Sequence, residues 1–176
     1  MNPKRSFILE VLYDKPFEIL LKEKLFEPAE MNNTFINLNK SKQPLLANGY
    51  NEKQELMPNF KNPVNLWGGA GRVKSNSLDM LKYIKWQLNS SNPVVRISHQ
   101  KLFKDVDNIW LAYFWDVIDD KNGTHIEHHG GIYGSQNWLM IYPMQQYGIS
   151  IIANSSFPQA NQIIKQTANK IFEELK

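Results

Sequence analysis

The sequence predicts a single α+β domain, an antiparallel sheet flanked by helices, and three observations carry that reading. Three strand-like runs, Thr124 to His129, Asn137 to Tyr142 and Tyr147 to Ala153, come one after another with glycine-bearing turns between them. That is the usual way antiparallel strands are joined. After Pro158, the residues Ile163, Ile164, Thr167, Ile171, Phe172 and Leu175 recur at helical spacing, which lays a closing helix on the sheet. A chain of 176 residues is long enough for one core and short for two.

Taken in order, residues 1–27 read as helix in two pieces, Phe7 to Leu12 and Phe17 to Phe26, broken at Asp14-Lys15-Pro16. Proline suits the start of the second piece because its missing N–H is not needed there. Phe17, Leu20, Leu21, Lys24 and Leu25 stripe one side of it, and Pro28 ends it. From 28 to 74 the chain turns to Asn, Lys, Gln and Pro with scattered apolar anchors, an irregular excursion ending in the glycine-rich Trp67-Gly68-Gly69-Ala70-Gly71. Ser75-Asn76-Ser77 then offers N-caps for a helix over 75–89, with Asp79 in the first turn, where the helix dipole favours a carboxylate. Asn89-Ser90-Ser91-Asn92-Pro93 stops it, and Ser98 is read as the cap of a short turn to Phe103. Antiparallel strands fill 109–154: one aromatic strand from Ile109 to Ile118, the hairpin turn Asp119 to Gly123, then the three runs already named. The last helix occupies 158–175.

Composition narrows the function classes. The net charge is +3 with 42% hydrophobic and 21% charged residues, and no basic run exceeds Lys4-Arg5. Nucleic acid and anionic membranes both want a concentrated basic face, so neither is a predicted partner. There is no cysteine, which removes disulfides, thiolate catalysis and zinc–thiolate sites together. No apolar run approaches the length of a membrane span. The N-terminus is not read as a signal peptide, since Glu10 and Asp14 interrupt the apolar stretch after its basic residues.

The chemistry is expected at His128-His129-Gly130-Gly131, where an imidazole stands beside bare backbone that a substrate can approach closely. His125, Glu127 and His129 share one face of the strand while His128 points the other way, so a three-histidine zinc site is poorly posed. The site is read without metal or cofactor. Trp110, Trp115 and Trp138 are read as core because they lie on apolar strands.

Several stretches, in order, then point to a family. Phe17 to Pro28, with Met31-Asn32-Asn33-Thr34 after it, looks like a helix before a Pro-Leu-Gly-Met-x-x-Thr turn, with Ala29-Glu30 departing from it. Ala47-Asn48-Gly49-Tyr50 matches Ala-x-Gly-Tyr. Ala70-Gly71-Arg72-Val73-Lys74-Ser75 with Asp79-Met80 matches Ala-Gly-Gly-Leu-x-Ser-Thr-x-x-Asp-Met. By these residues the chain resembles the serine β-lactamase and penicillin-binding-protein superfamily, on its β-lactamase-related, class C-like side. His128-His129-Gly130 matches the His-x-Gly variant of the family's third, Lys-Thr-Gly motif. The resemblance implies that His128 orients substrate and the proton relay, that Gly130 lets substrate lie along the strand, and that Gly131 N–H is one oxyanion donor. It also implies a small ester, amide, peptide or β-lactam substrate. Complete family members are commonly exported or periplasmic; this sequence does not locate the chain.

The family's Ser-x-x-Lys and Tyr-x-Asn belong before the helices that open this chain, so the resemblance implies a C-terminal portion of the fold. The N-terminal strands and the nucleophile helix are expected to be missing, and the strand Tyr147 to Ala153 would lose its neighbour. Ser98-His99-Gln100-Lys101 is formally Ser-x-x-Lys, but eleven serines and seventeen lysines make about one chance match, so it is read as a helix cap. Ser90-Ser91-Asn92 is read as a helix-ending turn. Where cephalosporin-hydrolysing relatives carry an Asn and an Arg, this chain has Gln159 and Gln162, and an amide cannot grip a carboxylate as arginine does. That leans toward esterase or peptidase ancestry. Three readings result: a C-terminal fragment inactive without its other half, a non-catalytic ligand- or partner-binding module, or a self-sufficient hydrolase using Ser98. The first is adopted.

Overall fold

Six strands in strictly sequential order form the sheet of the computed structural model, which describes residues 4–58 and 71–175. They are β3 (Phe103–Val106), β4 (Ile109–Leu111), β5 (Asp116–Asp120), β6 (Gly123–Ile132), β7 (Ser135–Tyr142) and β8 (Tyr147–Ala153), all antiparallel to their neighbours. Before them come α1 (Lys4–Tyr13), α2 (Phe17–Leu21) running into a wider π-turn at Lys22–Phe26, the small hairpin β1 (Gly49–Tyr50) and β2 (Leu56–Met57), α3 (Ser77–Gln87) and α4 (Pro93–Ser98). The last element is α5 (Ala160–Glu174). The fold class is α+β, as the alternation and turns predict.

Two apolar layers sandwich the sheet. On one face Trp138, Met140, Tyr142 and Ile149 meet Ile164, Ala168 and Phe172 of α5. On the other, Trp115, Val117, Ile126, Leu139 and Ile141 meet Ile84 of α3. A side chain at Gly148 would collide with Ile84, so the missing Cβ is what lets α3 lie against β8. The buried line of α5 is Ala160, Ile164, Ala168 and Phe172; Ile163, Thr167, Ile171 and Leu175, expected on the sheet, are exposed. Its two alanines allow a closer approach than the isoleucine face would.

Other departures are local. The strand expected from Ile109 to Ile118 is two strands, β4 and β5, folded back on each other with Ala112 to Trp115 as the bend. Phe114 makes the bend at φ 68°, a left-handed conformation in a bulky residue that the sequence does not mark with a glycine. The sheet also begins earlier than 109, because β3 forms the edge with all four of its residues exposed. Ser98 caps nothing. It is the last residue of α4, whose cap is Asn92, and its hydroxyl donates to Val95 O. The excursion over 28–74 includes the β1–β2 hairpin. Trp67 to Ala70, the start of the expected glycine-rich entry, lie outside the described residues.

Two of the family-like stretches prove to be structural staples. Asn76 caps α3 by accepting from Asp79 N–H, and the fully buried Asp79 carboxylate reaches back to accept from Asn33 N–H (2.7 Å) and Thr34 Oγ1 (2.8 Å). Asp79 thus ties the Met31-to-Thr34 turn to the helix, beyond its expected role at the dipole. Gly49 lies on the β6–β7 turn, where an added Cβ would stand 2.6 Å from Gly134 O. Beside that contact Tyr50 donates to Asn154 O and accepts from Ser156 N–H.

Candidate active site

The register of β6 decides which backbone groups are available for chemistry. In an antiparallel ladder, successive residues turn their N–H and C=O alternately to one neighbour and the other. Two-residue turns close both hairpins, at Asp120/Gly123 and Ile132/Ser135. Closing pairs exchange hydrogen bonds, so odd residues of β6 address β5 and even residues address β7. Pairing with β5, however, runs only as far as Asp116 opposite Glu127. From His128 to Ile132 the strand has β7 on one side and, among the described residues, no strand on the other. The N–H groups of His129 and Gly131 therefore point out of an open sheet edge, while Gly130 stays in the ladder opposite Asn137.

The side chains divide by face as the alternation predicts. His125 and Glu127 are buried toward α5, and His129 on the same face stacks on Trp138 at 4.8 Å. His128 is on the opposite face, edge-on to Trp115 at 6.2 Å. Trp115 in turn meets His99 at 5.9 Å, and His99 Nε2 pairs with Gln87 Oε1 at 2.8 Å. Burial lowers the His99 pKa to about 4. Desolvation also lowers the pKa of His128, with the nearby His129 adding to it and Asp116 opposing it. At neutral pH both rings are uncharged, so His128 offers a hydrogen-bonding nitrogen and not a fixed cation.

An open cleft of about 660 Å³ lies at this edge, with His128, Trp115 and Asp116 in its wall. Trp115, read as core, has both roles: it is buried, and it forms the floor beside His128. Nothing in the local sequence marks Asp116 as a neighbour of His128, or His99 as a neighbour of Trp115, because the β4–β5 bend and α4 bring them in from elsewhere in the chain.

The opposite face holds the charges. Glu127 receives Lys165 Nζ at 2.6 Å and Trp138 Nε1 at 3.3 Å, with His125 Nε2 3.6 Å away. Burial pushes the Glu127 pKa up, but the nearby His125 and the bonded Lys165 outweigh that and leave it lowered. Among the described residues, no group of three or more His, Asp or Glu side chains could hold a metal ion. Ser98 and Lys101 do not pair: the Lys101 ammonium is bound to Asp119. No described helix is long and apolar enough to cross a membrane.

Residues 6–170 match the family model described as Beta-lactamase, almost the whole chain. The chain belongs to the Beta-lactamase family. It is 24% identical over 151 residues to Protein flp of Staphylococcus aureus (strain MRSA252), a match covering 82% of this chain and 30% of that protein. Among solved structures it superposes on a beta-lactamase/D-alanine carboxypeptidase from Pseudomonas syringae with a TM-score of 0.83 at 18% identity, covering 99% of this chain and 58% of that one. A class C beta-lactamase gives 0.83 at 18% identity, over 97% and 55%. The D-alanine carboxypeptidase AmpC from Burkholderia cenocepacia gives 0.78 at 15% identity, over 89% and 55%. At these identities the superpositions establish the β-lactamase/transpeptidase-like fold. The chain spans little more than half the length of those solved relatives.

Proposed function

We propose that this Beta-lactamase-family chain supplies one wall of a serine acyl-transfer site, for hydrolysis of an ester, amide or β-lactam through an acyl-enzyme. The wall steadies the substrate and its developing negative charge. The attacking serine and its Ser-x-x-Lys and Tyr-x-Asn partners come from outside residues 1–176. The observation that carries this reading is the open edge of β6: Gly131 N–H is aimed away from β7, past the end of β5, on the same unpaired stretch that begins at His128. A backbone N–H fixed in that way is a preorganised oxyanion donor, and one such donor lowers an acyl-transfer barrier by a few kcal/mol. Gly130 leaves the strand bare for substrate to lie along, and neutral His128 can accept or relay a proton near pH 7.

Ser98 does not fit the nucleophile's role, since its hydroxyl is bonded to Val95 O and its formal lysine partner is held by Asp119. The test uses the chain with a fluorophosphonate probe, p-nitrophenyl acetate and nitrocefin, alone and then with a segment carrying Ser-x-x-Lys and Tyr-x-Asn, joined or separate. The expected result is no labelling of the chain alone. With the added segment its serine is labelled, and the rate falls by tenfold or more in His128→Ala. Labelling at Ser98, or at any hydroxyl of residues 1–176, overturns the proposal.

A further inference from the structure

The wall beside His128 is apolar in a way that the proposed hydrolysis does not itself require. Leu102, Leu111, Tyr113 and Phe114 stand on the bend between β4 and β5 and on the segment leading into β3, and all line the cleft. Each is between 40% and 50% exposed. Four half-exposed large apolar side chains in one concavity are unusual on a soluble surface, where such groups scatter singly. Concave and mostly apolar walls with a few convergent polar groups are the ordinary form of a small-molecule site.

The bend that presents them is strained. Phe114 sits at φ 68°, a conformation that costs a non-glycine residue on the order of 1 kcal/mol or more and that glycine would adopt without penalty. Ala112 N–H donates to Trp115 O and Phe114 N–H to Ala112 O, which hold the turn in this shape. An aromatic side chain is therefore kept at the rim by backbone bonding that opposes its own preference.

The charges of the wall are equally one-sided. Among the described residues Asp116 is the only acidic residue in its lining, and neither Lys nor Arg lines it. The nearest basic residues in sequence are directed elsewhere: Lys101 to Asp119, and both Lys101 and Lys104 over the Trp110 ring. An anionic group entering here finds no cation in the lining to compensate its desolvation.

We propose that this cleft is the subsite for an uncharged, apolar acyl or aryl group, so that the chain selects against substrates carrying a carboxylate at that position. The inference rests on the acyl-transfer reading for the word "substrate", but the recognition itself can be measured on the chain as it stands. Butyrophenone and 4-phenylbutyrate are matched probes of nearly the same size, one neutral and one anionic. Titration of each into ¹⁵N-labelled protein is tracked at the Trp115 indole and at the backbone amides of 112–116 and His128.

Butyrophenone is expected to give saturable shifts confined to these groups, with the anion at least tenfold weaker. Asp116→Asn narrows that ratio to under threefold. Phe114→Asp abolishes the butyrophenone shifts while leaving the Ile141 and Trp138 signals in place, since aspartate tolerates a positive φ better than phenylalanine. Equal binding of the two probes, or neutral-probe shifts outside the cleft, overturns the inference. The two proposals fail separately. Acyl transfer with no apolar preference removes only this one, and neutral-probe binding without acylation in the completed site removes only the other.

Discussion

Strand β6 is two strands in its behaviour, and the change comes between neighbouring residues Glu127 and His128. Up to Glu127 it is paired with β5, with β7 joining on the other side from Ile126, and His125, Ile126 and Glu127 are buried. From His128 it has one neighbour, and His128, His129 and Gly131 are exposed. The first half is held by the β5 ladder, by β7 from Ile126 onward and by an ion pair to α5; the second carries its polar groups on an edge that packing has left open. One rigid element can hold a site at its free end because its other end is fixed. This is the general economy of sites built on strands, where precision comes from the supported part.

The largest expected effect breaks the supported half. Glu127→Ala removes the acceptor for Lys165 and for the buried Trp138 N–H at once, and leaves that indole without a partner. Truncating one side of a buried pair costs about 3 kcal/mol. Urea denaturation should show it as a lower midpoint with an unchanged slope. Glu127→Gln should recover part of the loss by keeping an acceptor for Trp138. A midpoint for Glu127→Ala within error of the parent would mean that α5 is not pinned through this carboxylate.

Acid should then separate the two halves further. His99 is held neutral in the fold down to about pH 4, whereas in the unfolded chain it takes a proton near 6.5. Between those values the unfolded state binds more protons, so stability falls as pH is lowered from 6.5 toward 4. Partial exposure of the ring limits the loss to about 2 kcal/mol. Glu127 acts in the same direction lower down: its contribution is present above its ordinary value of 4.5 and is lost as the pH falls through its lowered folded value. Thermal melts at pH 7, 5.5 and 4.5 in His99→Gln, which keeps an amide partner for Gln87, should be flatter than in the parent. Parallel curves would remove His99 as the cause.

How much of this was legible in the sequence obeys the same division. The alternation from Thr124 to His129 and the two glycine-bearing turns state the register of β6 almost completely, because strand period and turn length are local properties. His128, Gly130 and Gly131 could therefore be singled out, and their faces assigned. The two halves of the Ile109-to-Ile118 stretch were not separable, since the bend rests on a phenylalanine at positive φ where no glycine or proline marks a stop. Edge strand β3 was hidden because Phe103 to Val106 bury nothing and so carry no alternation. Asp116, Trp115 and His99 became site neighbours only through that bend and through α4. Asp79 was visible as a first-turn acid, but its bonds to Asn33 and Thr34 span more than forty residues and leave no local trace.

The smallest expected change in stability, and the sharpest contrast, is at the open end. Among the described residues the His128 ring makes an edge contact with Trp115 and no side-chain hydrogen bond, and it is half in solvent. His128→Ala should shift the stability measured in urea by no more than about 0.5 kcal/mol, the ordinary size for a surface substitution. One residue earlier, truncation of Glu127 costs several times that. Its functional effect should run the other way: probe binding at the cleft and acylation in the completed site both depend on His128, while Glu127→Gln, if folded, should retain most of each. A His128→Ala variant as unstable as Glu127→Ala would show that the free end of β6 is part of the scaffold after all, and that the boundary between support and site lies further along the strand.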